Sequence, residues 1–207
     1  MWFLRIFFNQ LYHAFAWSYD CVAAIVSGGR WKKWVTTVIP YIQGEVVLEL
    51  GVGTGNLQDA LTASGFQIYG VDESRQMLRI AKKRTVKHNP SFRLMRARAE
   101  TLPLADTSVD TIVATFPSEY IFHPETMHAC RRILRPGGRL VVLLGVQVGG
   151  RGLIDHLLRI LYNATGQGTP DLVVLEKSLA GLSRYGFQAT LENLIYQQDI
   201  LTILIAG

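Results

Sequence analysis

Acid is what this chain holds back: 16 Asp and Glu stand against 21 Lys and Arg, a net charge of +5, with a pI near 9.4. No acidic residue precedes Asp20, and none lies between Arg75 and Arg98, a stretch dense in Lys and Arg. Cysteine is almost missing. Cys21 and Cys130 are too far apart in sequence for metal-ligand spacing, which excludes a thiolate metal site and a disulfide framework; reduced thiols in a cytoplasmic protein are expected. No stretch of about 20 mostly apolar residues escapes interruption, so a spanning helix is not expected. The first residues lack the basic start and small-residue cleavage site of a secretory signal. Repeats, low-complexity tracts and an obvious inter-domain linker are also missing, and 207 residues suit one α/β unit with a sizeable core.

Glycine, by contrast, is concentrated. Val46 to Leu50 is a run of β-formers that empties into Gly51, Gly53 and Gly55 and then into a helix-like stretch from Leu57. A strand that ends at a glycine turn and feeds a helix brings backbone close to a ligand, the mark of a nucleotide-type cofactor. The dinucleotide fingerprint G-x-G-x-x-G is a competing reading, but here the spacing is G-x-G-x-G and the sixth position is Asn56. A plain strand-to-helix turn is the other.

The following segments decide between them. Phe66 to Val71 reads as a second strand and ends in Asp72-Glu73, where a carboxylate accepts ribose hydroxyls. The third piece is Ala97 to Leu104, followed by strands over 109–116 and 134–144. With ELGVGTG, YGVDES, AETLP-x-x-D-x-x-x-D and R-x-L-x-P-G-G in this order, the chain resembles the class I S-adenosylmethionine-dependent methyltransferases. The resemblance covers residues 44–145 well. Alternating strands and helices predict an α/β fold with a doubly wound, mostly parallel seven-stranded sheet. Helices are expected over 2–27, 30–40, 56–64, 74–87, 124–134, 151–164 and 171–185, and a closing strand pair over 188–196 and 200–206. The resemblance implies the order 3-2-1-4-5-7-6 with the last strand antiparallel, and a cofactor at the carboxyl ends of strands 1 and 4.

The family's roles transfer residue by residue. The resemblance implies that Glu49 holds the ammonium of S-adenosyl-L-methionine, and that Gly51, Gly53 and Gly55 let backbone lie against its methionine and ribose parts. Thr54 offers its amide; Asp72 holds the ribose diol with Glu73 alongside; Met77 packs on adenine, and Ala99 contacts the adenine edge. Thr115 closes the list at the end of strand 4. One position departs: relatives carry Asp where this chain has Arg98, and a cation accepts no hydrogen bond from the adenine amino group. Either Glu100 takes that role or the amino group faces solvent. S-adenosyl-L-homocysteine is the implied product, and no metal is implied.

Residues 1–43 are assigned to an N-terminal cap and 44–207 to the cofactor-binding domain. The cap is dense in aromatics: Phe3, Phe7, Leu11 and Phe15 share one helical face, and Trp2, Phe8, Tyr12 and Tyr19 widen it. Such a face packs on its own domain or lies in a membrane interface. Tyr12-x-x-x-Ala16-x-x-Tyr19-Asp20 is similar to the opening of the ubiquinone/menaquinone methyltransferases and bacterial phospholipid N-methyltransferases, which implies that Tyr19 closes over the methionine end. Tyr120 and His123, after strand 4, border the expected acceptor site; no residue is assigned as catalytic. An apolar helix in the insert after residue 145, flanked by Gly149, Gly150, Gly166 and Gly168, is read as a lid.

Together these features predict a methyltransferase acting on a lipophilic acceptor, a quinone precursor or phospholipid amine, in the cytoplasm or at a membrane surface. Excess positive charge fits an anionic membrane better than nucleic acid, for which no binding module is present. Two alternatives stay open: a soluble metabolite as acceptor, and a non-catalytic relative that docks on membrane.

Overall fold

The computed structural model describes residues 27–85, 93–150 and 181–207, with Ala24, Gly152 and Leu179. Tyr19, Cys21, the aromatic N-terminal helix and nearly all of the expected lid lie outside the described residues.

The elements used below are α1 (Trp31–Thr36), β1 (Val46–Leu50), α2 (Asn56–Ala63), β2 (Gln67–Asp72), α3 (Arg75–Thr85), β3 (Arg93–Arg96), β4 (Val109–Thr115), α4 (Pro124–Ile133), β5 (Leu134–Gln147), β6 (Ala189–Tyr196) and β7 (Asp199–Ala206). The strands form one sheet in the order β3-β2-β1-β4-β5-β7-β6. Pairing is parallel from β3 through β5, and β7 runs antiparallel to both neighbours. That is the expected order. Short right-handed crossovers dictate it: each helix returns the chain to start a strand beside the last, and the direction of winding reverses between β1 and β4.

Each sheet face carries its own core. On one, Leu48, Leu50, Ile112 and Val142 meet Met127, Cys130 and Ile133 of α4. On the other, Val47, Val113 and Val141 meet Leu57 and Leu61 of α2 and Trp34, Val35 and Val38 from the α1 region. All five residues of β1 are buried, as a central parallel strand requires. Trp34, Val35 and Val38, from the segment before position 43, thus pack into the domain core. Pro40 sits where helix 30–40 was expected to finish, and the chain tightens there into a 3-10 turn, Ile39–Tyr41.

The third strand departs from expectation. It is Arg93–Arg96, while residues 97–104 form the loop that follows. Register with β2 (Tyr69 opposite Arg93, Asp72 opposite Arg96) brings the loop start beside Asp72. Arg-Leu-Met-Arg has no β-branched or aromatic residue, so pairing with β2 rather than propensity makes it a strand.

Asp110 ties the sheet's lower end together. Its Oδ2 accepts the Glu45 and Val46 amides at 3.0 and 2.9 Å, and its Oδ1 accepts from Arg135 at 2.8 Å. Burial opposes ionisation, but those two amides and the Arg135 guanidinium outweigh it and hold the carboxyl below its usual range.

Candidate functional site

Gly51, Gly53 and Gly55 have φ of 74°, 54° and 84°, the left-handed region in which a side chain is strained. This turn carries the chain from β1 over the sheet edge into α2. The Gly51 and Val52 amides both donate to the Val71 carbonyl, at 2.8 and 3.2 Å, and Gly55 donates to Val52. The Gly53 amide donates to Asp72 Oδ2 at 2.8 Å. These amides are engaged within the protein, so the loop presents a surface of defined shape rather than a row of waiting donors. Among the described residues an added Cβ at Gly53 would meet no atom within 4 Å, whereas at Gly51 it would come within 3.0 Å of the Tyr120 hydroxyl. Gly53 therefore borders open space, and Gly51 makes room for Tyr120.

Arg84, one cation of the acid-free stretch from Arg75 to Arg98, holds the turn from behind. It reaches from α3 to donate through Nη1 to the Thr54 carbonyl at 2.9 Å and to Asn56 Oδ1 at 2.9 Å. Asn56 Nδ2 in turn donates to Thr54 Oγ1 at 3.0 Å. Asn56 at the position of a fingerprint glycine thus has a structural use: its side chain completes the clamp. The only signal in the sequence was that non-glycine residue itself.

Glu49 is the charged group of β1, and strand alternation sends it toward the α2 face, where Gln58 donates to its Oε2. Glu49 is 2% exposed. Burial pushes its carboxyl up to about 8; the Gln58 bond pulls it down and the nearby Asp72 charge pushes it up further. Beside it, Gln58 Oε1 is buried without a hydrogen-bond partner among the described residues. An acceptor with no donor, next to a carboxylate that burial disfavours, suits a cationic N–H group arriving from a ligand.

Asp72 and Glu73 divide their labour. Asp72 is buried, with Oδ2 on Gly53 and Oδ1 accepting the Ser74 amide at 2.8 Å. Glu73 is exposed. It borders a cavity of about 630 Å³, lined also by Arg75, Gln76, Arg96, Ala97 and Arg98. Met77 is wholly buried and so offers the cavity no exposed surface. Ala99 and Glu100 follow in the loop after β3, both half-buried. Arg98 Nη2 pairs with Glu100 Oε1 at 3.1 Å, so the cation in place of the family's Asp is partly neutralised by the neighbour expected to replace it. Glu100 also lies 4.0 Å from His123 Nδ1, bringing together a residue expected at the adenine edge and one expected at the acceptor site.

Thr115, the last residue of β4, is half-buried, and Phe116 just beyond it adopts φ 49°. A non-glycine residue in that region is strained. Phe116 is held there by its backbone N–H, which donates to the Leu143 carbonyl at 2.8 Å, and by stacking on Trp31, ring centroids 4.6 Å apart. The 3-10 turn Glu119–Phe122 then carries Tyr120 back over Gly51. Burial raises the Tyr120 phenol well above its ordinary value and the charges of Asp72, Glu49 and Glu73 add to this, so it stays neutral. The other acids of the AETLP motif serve the fold: Asp106 pairs with Arg132 at 2.7 Å. Buried Cys130, its thiol pushed up to about 12 by desolvation, is no nucleophile. Among the described residues no cluster of His, Cys, Asp or Glu is placed to hold a metal ion.

Residues 48–142 match the family model described as a methyltransferase domain. The chain is 34% identical over 140 residues to the demethylmenaquinone methyltransferase of Thermotoga maritima, an alignment covering 65% of this chain and 59% of that one. It is 30% identical over 129 residues to the enzyme of the same name from Clavibacter sepedonicus, covering 60% and 52%. The chain thus spans about half the length of the curated relatives it matches. Among solved structures, phosphoethanolamine N-methyltransferase 2 of Haemonchus contortus, in complex with S-adenosyl-L-methionine, superposes with a TM-score of 0.60. At 18% identity, over 86% of this chain and 52% of that one, it shares the fold.

Proposed function

From the match of residues 48–142 to the family model described as a methyltransferase domain, we propose that the chain binds S-adenosyl-L-methionine and methylates a lipophilic acceptor, in the first place a quinone precursor. The observation that carries the donor assignment is the open face of Gly53 set between the buried acids Glu49 and Asp72. A smooth backbone surface ringed by carboxylates fits a ligand with positive sulfonium and ammonium groups. It fits a phosphate-bearing nucleotide poorly.

Bound there, the donor supplies an activated methyl group on a sulfonium. Glu49 and Gln58 Oε1 hold the ammonium. Asp72 fixes the loop through Gly53, and exposed Glu73 beside it accepts the ribose hydroxyls. Ala99 and Glu100 lie along the adenine edge, and Thr54, Gly51, Gly55 and Thr115 shape the floor. Tyr120 walls the methionine end, and His123 faces the acceptor. In-line transfer asks the protein mainly for alignment and exclusion of water, so no residue needs to serve as a general base.

The acceptor follows from the relatives, two of which are named as demethylmenaquinone methyltransferases. A quinol ring is apolar, and the aromatic residues 2–19 suit an interfacial helix that meets such a substrate at the cytoplasmic face of a membrane. Among the described residues no helix is long and apolar enough to cross a membrane.

The test is label transfer. With methyl-labelled donor and detergent-solubilised demethylmenaquinol, a product methylated on ring carbon is expected, identified by mass spectrometry. Phosphatidylethanolamine is the parallel acceptor, and label on its nitrogen instead would replace the quinone by a phospholipid amine. Failure of S-adenosyl-L-homocysteine to bind in calorimetry would remove the donor assignment and leave a non-catalytic relative.

A further inference from the structure

Resting on the reading that the acceptor is lipophilic, we infer that the outer face of α3 and the β3 edge form a docking surface for the anionic phosphate plane of a bilayer. On α3, Arg75, Arg79, Lys82 and Lys83 are all exposed. Their spacing of four, three and one places them on one stripe of the helix. Met77 and Ala81, fully buried, hold the opposite stripe against the body. β3 is an end strand of the sheet, and its Arg93 and Arg96 are exposed, as is Arg98 just beyond. No acid occurs from residue 75 to residue 98. The nearest two are Glu73 and Glu100, and Glu100 is already paired with Arg98. Arg84 is excluded from this surface because it turns inward to Thr54 and Asn56.

The opposite end strand, β6, is of another kind, carrying Glu192 and an exposed Ile195. Of the two end strands, it is β3 that carries cations, while β6 has none. Guarding an end strand against unwanted strand pairing would explain Arg93 and Arg96. It does not explain the helix stripe, which has no free backbone to guard. Cations gathered on one face add their attraction to an anionic leaflet, and the sum falls with salt. Nucleic acid would engage the same charge, but single strands also need aromatic platforms for their bases. On this face Tyr69 is half-buried and covered by the Arg93 guanidinium, 5.8 Å from its ring centre.

Sedimentation of the full chain with phosphatidylcholine vesicles, with and without phosphatidylglycerol, tests the surface. Binding that requires phosphatidylglycerol and weakens with salt is expected. The triple variant Arg79→Glu, Lys82→Glu, Lys83→Glu should lose at least about tenfold of that binding. Its affinity for S-adenosyl-L-homocysteine should not change, which also reports that it has folded. The milder pair Lys82→Gln, Lys83→Gln should show a smaller loss in the same direction. Equal binding by variant and parent would overturn the inference. So would indifference to phosphatidylglycerol, or displacement from vesicles by an oligonucleotide bound more tightly. Vesicle binding that responds to these variants in a protein inactive on solubilised quinol would sink the acceptor reading while sustaining the docking face.

Discussion

The Gly53 amide donates to Asp72 Oδ2 across 2.8 Å, joining the loop after β1 to the end of β2. The carboxylate also accepts the Ser74 amide, so one buried side chain sets the height of the glycine turn and the start of the chain toward α3. Asp72→Asn keeps the shape but turns one acceptor into a donor facing an amide. Donor affinity should weaken by roughly 1–3 kcal/mol, with a modest fall in melting temperature. Calorimetric titration with S-adenosyl-L-homocysteine checks it; an unchanged Kd would show that the loop height is set elsewhere.

Two glycines should fail in opposite ways. Gly53→Val places a side chain in open space at a cost of about 1 kcal/mol for its positive φ, so the fold should survive while ligand binding is abolished. At Gly149 a Cβ would overlap the Gln198 carbonyl, so Gly149→Ala should cost roughly 3 kcal/mol of stability through backbone displacement. Thermal melts beside ligand titrations separate the two; a stable Gly149→Ala protein would refute the packing argument.

Much of this site was legible because it is local. β1, the glycine turn and Asp72 fall within one strand-turn-helix-strand unit whose residue types are demanded by backbone geometry. The third strand was not, because Arg93–Arg96 has weak intrinsic preference and owes its form to β2. Arg84 was missed for a related reason: in sequence it is one cation in a basic run, and only the fold brings it to Thr54. Met77 shows the converse. A methionine in the first turn of the helix after Asp72 fits an adenine platform and a core position equally, and it is wholly buried.

Arg84→Gln should therefore impair the site without touching a ligand. It loses the charge on the Thr54 carbonyl and Asn56 and loosens the turn. Donor affinity should fall about tenfold, equivalent to roughly 1.4 kcal/mol, the scale of one charged hydrogen bond. Lys at the same position should recover only part, since a single ammonium cannot match the guanidinium's fixed directions. A Kd equal to the parent's would remove Arg84 from the site.

Glu49 makes binding and stability depend on pH in opposite senses. Its carboxyl rises from the ordinary 4.5 to about 8 in the fold. Between those values the unfolded chain has lost the proton that the folded chain keeps. The ligand-free protein should thus lose stability as pH rises from about 4.5 to about 8, with the contribution fully present below that window. A cationic ligand favours ionised Glu49, so binding should expel a proton in the same window and tighten as pH rises. Calorimetry in buffers of different ionisation enthalpy counts that proton. Glu49→Gln should abolish the release, and a parent that releases none would show Glu49 already ionised.

Asp199 governs a region remote from the glycine turn. Wholly buried at the start of β7, it accepts from Trp34 Nε1 at 2.9 Å, Arg30 Nη1 at 3.0 Å and the Gly149 amide at 3.1 Å. One carboxylate thereby fastens α1, the end of β5 and the β6–β7 pair. Asp199→Ala takes away the buried acceptor shared by the Arg30 guanidinium, the Trp34 indole and the Gly149 amide, a loss of roughly 3–5 kcal/mol. Asp199→Asn retains an oxygen for one donor but removes the charge opposite Arg30, and should lie between the two. Because Trp34 and Trp31 also grip Phe116 at the end of β4, loosening this corner should raise the KM for acceptor more than the Kd for donor. Equal changes in both would mean that the corner supports the fold alone.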